Sequence, residues 1–157
     1  YLYGIRFLGL RFFTVYGPWG RPDMAYFSFT QRILEQEPIP VFNEGRLSRD
    51  FTYIEDIING LVRIVEQGFK SNDKNQSNAA IYNIGRGRPV ALLDFIKTIE
   101  ARLGKKAMLN LMPMQDGDVH ATWADTTALE NNYGYTPQID LEEGIGHFVD
   151  WYNGYLK

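Results

Sequence analysis

The sequence predicts an α/β fold in a single domain. Segments rich in β-branched and aromatic residues alternate with segments whose apolar residues recur at helical spacing. Glycine, proline or polar runs separate most of these segments, as expected at the ends of secondary-structure elements. The 157 residues are 45% hydrophobic and 22% charged, which is ordinary for a chain that buries one core. Strands that alternate with helices indicate an α/β arrangement.

The first predicted strand covers residues 7–15. This segment is mostly apolar and rich in β-formers, as expected for a strand that is covered on both faces. Gly17 and Pro18 then force a loop. Asp23 is a suitable N-cap for a helix over 24–36, which would bury an apolar stripe.

Two prolines end that helix, and the next elements are a short strand, a turn and a longer helix. The strand is predicted at 39–42 and the turn at 43–45, where asparagine and glycine favour chain reversal. The helix is predicted over 54–67. Its apolar residues have the spacing of one buried stripe: Ile57, Ile58, Leu61, Ile64 and Val65.

The second half of the chain continues the alternation after a polar loop at 71–78. Strands are predicted at 80–84 and 107–112. Helices are predicted over 91–103, closed by Gly104, and over 141–155, where the apolar residues again form one stripe. Asp125 is a candidate cap for a short helix that ends at 131.

Composition excludes several classes of function. A net charge of −3 gives no reason to expect a nucleic-acid partner. The chain has no cysteine, which excludes disulfides and thiolate metal sites and fits a reducing, cytoplasmic setting. No apolar run approaches the roughly 18 residues of a membrane span, so no membrane partner is expected.

A glycine-containing turn at 85–90 follows one predicted strand and precedes a helix, like a dinucleotide-binding fingerprint. Val90 stands where the third glycine of that fingerprint is needed, and Pro89 stiffens the turn. The sequence therefore favours a plain strand–turn–helix connection.

Other polar residues also have simple structural interpretations. His120 and His147 are too isolated for a metal site, and residues 116–118 lack the further ligands of a calcium loop. Glu55 and Asp56 stand at a helix start, where carboxylates complement the helix dipole. We therefore expect no metal.

Arginines in two loops, Arg21 and Arg49, are the strongest candidates for ligand binding. Guanidinium groups bind phosphate oxygens in planar, charge-assisted pairs, so two of them aimed at one cleft suit a diphosphate. Phe42 lies seven residues before Arg49, and its ring could contact a base beside that diphosphate. Alternatively, Arg49 pairs with Asp50 or with a helix carboxylate on the surface.

Segments 11–25 and 49–56, together with 82–85 and 141–145, resemble the carboxyl-terminal half of nucleotide-sugar epimerases of the extended short-chain dehydrogenase/reductase family. The likeness is closest to the UDP-glucuronate 4-epimerase group. It implies that residues 1–157 are a substrate-binding domain, with a strand of a Rossmann-like parallel sheet within residues 1–20. It also implies that the NAD-binding half and the catalytic Tyr-x-x-x-Lys lie upstream, so no catalytic residue is expected in this chain.

The resemblance assigns roles to two groups of residues. Thr14 would donate to the uronate carboxylate, Arg21 would add positive charge near it or the diphosphate, and Arg49 would bind the diphosphate. The full substrate-binding set is Thr14, Arg21, Pro40, Val41, Phe42, Arg49, Asn83 and Asp118. The set that would line the nicotinamide end of NAD is Val15, Tyr16 and Pro18.

The implied activity is an isomerase reaction: NAD-dependent oxidation at C4 of the sugar, rotation of the 4-keto sugar, and re-reduction on its other face. The parent is expected to be a cytoplasmic homodimer and this fragment alone to be inactive. Many relatives carry arginine where Gln115 stands here, so Arg21 would have to supply the second cation, and Asp116 replaces a usual proline. Two alternatives remain: a dehydratase or decarboxylase half of the same superfamily, and a non-catalytic nucleotide-binding module.

Overall fold

The computed structural model describes residues 3–70 and 78–155. The helices in these ranges are α1 (Ala25–Glu35), α2 (Ile54–Gln67), α3 (Leu92–Leu103), α4 (Thr127–Tyr133) and α5 (Leu141–Tyr155). The strands are β1 (Phe7–Phe12), β2 (Thr14–Tyr16), β3 (Pro38–Val41), β4 (Ser48–Arg49), β5 (Phe51–Tyr53), β6 (Ala79–Ile84), β7 (Val90–Ala91) and β8 (Met108–Leu111). A 3-10 helix spans Phe42–Gly45.

Within the described ranges the strands form four two-stranded pairs, and three of these pairs are parallel. Strand β1 pairs with β6, placing Arg11 opposite Asn83. Strand β2 pairs with β5, placing Thr14 opposite Phe51, and β3 pairs with β8. The short strands β4 and β7 are antiparallel. Parallel pairs connected through helices confirm the predicted α/β class.

The larger of two hydrophobic cores is built mainly from aromatic rings. Tyr16 is buried in it and meets the rings of Tyr26, Phe51, Tyr53 and Phe95 edge-on at centroid distances of 5.6–6.5 Å. Burial raises the pKa of Tyr16 well above its usual value, so the phenol remains neutral. This core holds β2 and β5 against α1, α3 and α5, and it supports the loops that follow β2.

The smaller core lies against one face of the β1–β6 pair. Its buried residues come from β6, α2, α4 and the segment after α4: Ile57, Ala80, Tyr82, Ile84, Leu129, Tyr133 and Tyr135. The Tyr135 hydroxyl donates to the Gly85 carbonyl oxygen at 2.9 Å, which connects the end of β6 to the segment after α4.

The predicted strand at 7–15 is divided into two strands at Phe13. Phe13 donates its N–H to the Ile84 carbonyl oxygen at 3.1 Å, and Thr14 donates its N–H to the Asp50 carbonyl oxygen at 3.1 Å. The backbone therefore changes partner from β6 to β5 at this point. This exchange brings the chain to the loops that line the candidate site.

Several local predictions were wrong. Met24 rather than Asp23 occupies the N-cap of α1, and the Asp23 carboxylate instead pairs with Arg21 at 3.2 Å. In α2, Ile58 and Val65 belong to the apolar stripe that was predicted to be buried, but they are 48% and 80% exposed. The described residues cover only part of that stripe. Helix α4 ends at Tyr133 instead of 131, with Thr126 at its N-cap.

Other predictions were confirmed. Helices 54–67 and 141–155 have the predicted bounds, and the remaining predicted strands and helices are present with ends shifted by one or two residues. The polar loop predicted at 71–78 lies outside the described residues, apart from Asn78.

Candidate functional site

Three adjoining cavities lie where β2 and β4 lead into loops. Cavity A, of 360 Å³, is lined by Thr14, Asp23, Ala25, Ser28, Phe29, Pro40, Phe42, Leu47, Arg49, Phe51 and Leu92. Cavity B, of 620 Å³, is lined by Arg11, Phe12, Phe13, Thr14, Met24, Arg49, Asn83 and Thr122. Thr14 and Arg49 belong to both walls, so these two cavities form one continuous cleft.

Cavity C, of 480 Å³, continues the cleft on the other side of cavity B. Its lining includes the predicted cofactor residues Val15, Tyr16 and Pro18, together with Arg21. It shares Phe12, Phe13 and Met24 with cavity B. The walls are mainly apolar, which suits a flat ring rather than a charged group.

Arg49 stands at the centre of the cleft on β4. Its side chain is 21% exposed; one guanidinium nitrogen donates to the Ser48 carbonyl oxygen at 2.8 Å, and another pairs with Asp118. Fixing both ends of the fork orders the guanidinium before any ligand arrives. The surface alternative was wrong about the partner, because Asp50 points away from Arg49 and binds backbone groups.

Asp50 is a fully buried carboxylate whose hydrogen bonds connect three segments of the chain. It accepts N–H groups of Arg86, Gly87 and Ala124, each at 2.9 Å. Thr52 adds a hydroxyl donor at 3.3 Å. These donors replace the water that the carboxylate loses on burial, so Asp50 fastens β4 to the turn after β6 and to the segment before α4.

The same contacts decide the interpretation of the glycine-containing turn after β6. The N–H groups of Arg86 and Gly87 in this turn already donate to the Asp50 carboxylate. A Cβ added at Gly85 would lie 2.8 Å from the Asp50 Oδ2 atom. Glycine is needed here because a carboxylate approaches the backbone closely. The turn is a structural connection with no donors left over at Arg86 and Gly87 for a phosphate.

The residues predicted to contact a base or a sugar divide between the cavity wall and the core. Pro40, Phe42 and Thr14 line cavity A. The Thr14 hydroxyl makes no hydrogen bond to any described residue, so it is available to a ligand. Val41 is fully buried in the larger core and does not line cavity A.

Asn83 shares a cavity wall with Arg49, and Asp118 pairs with Arg49. The Asn83 amide donates to the Asp125 carbonyl oxygen at 3.2 Å while the side chain lines cavity B. Asp118 holds Arg49 and also accepts the N–H of Val119 at 2.9 Å. The segment that carries Asp118 is anchored to β4 by reciprocal backbone bonds between Ser48 and the segment around His120.

Arg21 is separate from Arg49. Its side chain is 75% exposed, pairs with Asp23, and contributes to cavity C. The two arginines therefore do not converge on one point of the cleft. Arg11, which the sequence reasoning did not single out, lines cavity B with Arg49 and has no ion pair to a described residue. Its place on a strand carried no signal that it would reach the cleft.

The described ranges show no group of three or more histidine, aspartate or glutamate residues able to hold a metal ion. His147 lies on the surface of α5, near Glu143 at 3.6 Å. Asp56 is buried and accepts the N–H groups of Gln138 and Ile139. It therefore binds the backbone just before α5 to the start of α2. None of the helices in these ranges has the length and apolar character of a membrane span.

Comparison with known proteins identifies the class to which this cleft belongs. Residues 2–85 match the NAD dependent epimerase/dehydratase family, and the chain belongs to that family. A probable UDP-glucuronate 4-epimerase of Rhizobium meliloti is 42% identical over 98% of this chain and 48% of its own length. UDP-glucuronate 4-epimerase 2 of Arabidopsis thaliana is 42% identical over the entire chain and 38% of its own length.

A solved structure extends this likeness to the fold. UDP-glucuronic acid 4-epimerase from Bacillus cereus, in complex with UDP-glucuronic acid and NAD, superposes with a TM-score of 0.81 at 36% identity. The match covers 93% of this chain and 45% of that one. The chain thus spans about half the length, or less, of these relatives. The recognised resemblance to epimerases of this group is confirmed.

Proposed function

We propose that this chain supplies the UDP-sugar-binding half of an NAD-dependent epimerase of the UDP-glucuronate 4-epimerase type. The observation that carries the proposal is the joint wall of cavities A and B, where Arg49 and Thr14 lie beside Pro40 and Phe42. Such a cleft offers an apolar surface for a base, a fixed cation for the diphosphate and a free hydroxyl for the sugar.

Each ligand group has a partner in this arrangement. The base packs on Pro40 and Phe42, the diphosphate is held by Arg49, and Asp118 accepts from the ribose hydroxyls. Thr14 donates to the sugar carboxylate, and Arg21 approaches that carboxylate from cavity C. Asn83 contributes an amide near the phosphates. Arg11 has the position for a second phosphate contact because it lines cavity B with Arg49.

The residues of cavity C fit the nicotinamide end of NAD. Val15, Tyr16 and Pro18 offer an apolar wall, and the buried Tyr16 can contribute only its backbone and the edge of its ring. When bound, NAD supplies a hydride acceptor and donor for the sugar C4. This chain's own part is to hold the diphosphate while leaving the sugar free to turn.

The parent protein would contain a second, NAD-binding half that completes the sheet. On the face of β1 and β6 away from the smaller core, Phe7 and Ile81 are 54% and 51% exposed. Elements of a second half packed on this face would remove these two apolar side chains from water. A cytoplasmic homodimer is the form we propose for the parent.

A binding measurement on the parent protein tests the proposal. Replacing Arg49 by alanine should lower the affinity for UDP by about 1.5–3 kcal/mol, the range for a hydrogen bond to a charged group. Arg46→Ala is the matched control, because Arg46 is three residues away, 70% exposed and paired with Glu44 on the surface. Equal affinities for UDP in both variants, by calorimetry, would reject the assignment of Arg49.

A further inference from the structure

Trp19 adopts an unusual backbone conformation in the loop between β2 and α1. Its φ is +63°, in the left-handed region that large side chains avoid. The residue is 73% exposed, so burial does not explain this conformation. A backbone strain of this kind persists only when surrounding contacts determine it, and such contacts often serve function.

Two aromatic residues of α5 supply those contacts. The Trp19 ring lies 5.4 Å from the ring of Trp151 and 4.8 Å from the ring of Tyr155, between centroids. Trp151 and Tyr155 are stacked on each other at 5.0 Å with an interplanar angle of 14°. We call these three residues the aromatic clamp. Its centroid distances, in one tilted, one edge-on and one stacked pair, are those of favourable ring contacts.

The loop is also held on both sides of Trp19. A Cβ at Gly17 would lie 2.5 Å from the Ile54 side chain, and a Cβ at Gly20 would lie 1.5 Å from the Tyr26 hydroxyl oxygen. Both glycines therefore contact side chains of the larger core too closely to leave room for a Cβ atom. Together with the clamp, these contacts fix the backbone on one side of Arg21, whose own side chain remains 75% exposed.

We propose that the aromatic clamp is a positioning device for Arg21. It ties the end of α5 to the loop that carries this arginine and so helps to set the preference for a carboxylated sugar. This inference rests on the proposed function, in which Arg21 approaches the carboxylate. Trp19 itself lines cavity C, whereas neither Trp151 nor Tyr155 lines any of the three cavities. An effect of Trp151 or Tyr155 would therefore act through the loop.

The test uses the parent enzyme and the ratio of kcat/KM for UDP-glucuronate to that for UDP-glucose. Arg21→Ala should lower this ratio about tenfold, which corresponds to about 1.4 kcal/mol. Trp19→Gly removes the ring yet suits a positive φ, so the loop loses its anchor without added backbone strain. It should lower the ratio to a similar extent, through the KM for the uronate.

Three further variants separate positioning from general damage. Trp151→Leu should also lower the ratio, whereas Trp19→Phe, which keeps a ring, should restore most of it. The double variant Trp19→Gly/Arg21→Ala should be no worse than Arg21→Ala alone, because both changes remove one interaction. Trp123→Leu is the matched control, since that 54% exposed tryptophan forms no ring contact with the clamp. Calorimetric affinity for UDP should remain unchanged throughout.

The outcomes distinguish this inference from the proposed function. If Arg21→Ala lowers the ratio while Trp19→Gly and Trp151→Leu leave it unchanged, the clamp is ordinary surface packing and the proposed function stands. Fully additive losses in the double variant would also contradict the clamp. If Arg21→Ala itself leaves the ratio unchanged, the role of Arg21 is wrong and the inference fails with it.

Discussion

Arg49 and Asp118 form an ion pair although 69 positions separate them in the sequence. Both side chains are about three-quarters buried, and both line the region between β4 and the segment before α4. The pair has two consequences. The carboxylate orders the guanidinium, and it also competes with any phosphate for the same donors.

The first prediction separates these two effects by replacing Asp118 with asparagine in the parent protein. Inorganic diphosphate should then bind about fivefold more tightly, because a nearby negative charge is removed from the cation that receives it. Uridine should bind more weakly, because one of the two carboxylate oxygens that can accept from its ribose hydroxyls becomes an NH2 group and the charge on the other is lost. Calorimetry with each ligand measures the two effects separately.

Asp116→Asn provides the control for this experiment. It removes one negative charge from the same loop, but Asp116 is exposed and forms no ion pair with a described residue. A similar gain of diphosphate affinity in both variants would mean that only the net charge of the loop matters, and the Arg49–Asp118 pair would have no special role.

The second prediction concerns stability and the buried carboxylate of Asp50. Asp50→Ala leaves the N–H groups of Arg86, Gly87 and Ala124 without an acceptor, which should cost about 3 kcal/mol or more. Asp50→Asn should cost less, because its single carbonyl oxygen still accepts some of these donors while its NH2 group faces another. The urea midpoint of unfolding should therefore fall in the order wild type, asparagine, alanine.

Asp94→Asn is a suitable control for this series. Asp94 lies on the surface of α3, and its side chain pairs with that of Lys97, three residues along the helix. Exposed pairs of this kind contribute little, so the midpoint should move by no more than the equivalent of about 0.5 kcal/mol. Equal decreases of the urea midpoint for Asp50→Ala and Asp94→Asn would show that the Asp50 hydrogen bonds contribute no more to stability than an exposed ion pair.

The Asp50 cluster also shows which features the sequence could predict. Long amphipathic segments such as α2 and α5 were predicted with the correct bounds because their apolar spacing extends over several turns. Strands β4, β5 and β7 have only two or three residues, too few for any periodicity. The sequence also could not predict the partner of Arg49. Asp50 is the neighbour of Arg49 in sequence, whereas Asp118 is brought close to Arg49 by backbone pairing between distant segments.

The predicted site residues also divide into those that the sequence could reveal and those whose position depends on long-range contacts. Thr14, Pro40, Phe42 and Arg49 were assigned from the family resemblance, and they line one cavity. Arg11 was missed because its approach to the cleft depends on the exchange of strand partners at Phe13. Val41 was assigned from the same resemblance, but its side chain enters the core, a distinction that a strand of four residues does not reveal.

The third prediction is that the 157-residue chain alone has no epimerase activity. No tyrosine in it is followed four positions later by lysine, so the acid–base pair expected from the resemblance is absent from the sequence. The turn after β6 has no N–H groups at Arg86 and Gly87 free for a dinucleotide phosphate. Incubation of the chain with UDP-glucuronate and NAD should leave the sugar unchanged, and formation of UDP-galacturonate would contradict the prediction.

The last prediction tests the sugar specificity through Thr14 in the parent enzyme. The Thr14 hydroxyl has no partner among the described residues, so Thr14→Val removes a donor without breaking an internal hydrogen bond. Valine is nearly the same shape and suits the start of a strand, and the backbone bond from Thr14 to Asp50 is unaffected. Any change in catalysis should therefore report on the ligand.

If that hydroxyl donates to the uronate carboxylate, the variant should lose about 1.5–3 kcal/mol in kcat/KM for UDP-glucuronate. UDP-glucose carries a neutral hydroxymethyl group at the same position and should lose much less. The preference for the uronate should then shrink by about one to two orders of magnitude. Ser28→Ala is the control, because Ser28 lines cavity A but not cavity B and would lose a hydroxyl of the same kind. An equal loss for both sugars in Thr14→Val would assign Thr14 to the nucleotide or the cofactor, and the uronate would lose its main support as the substrate.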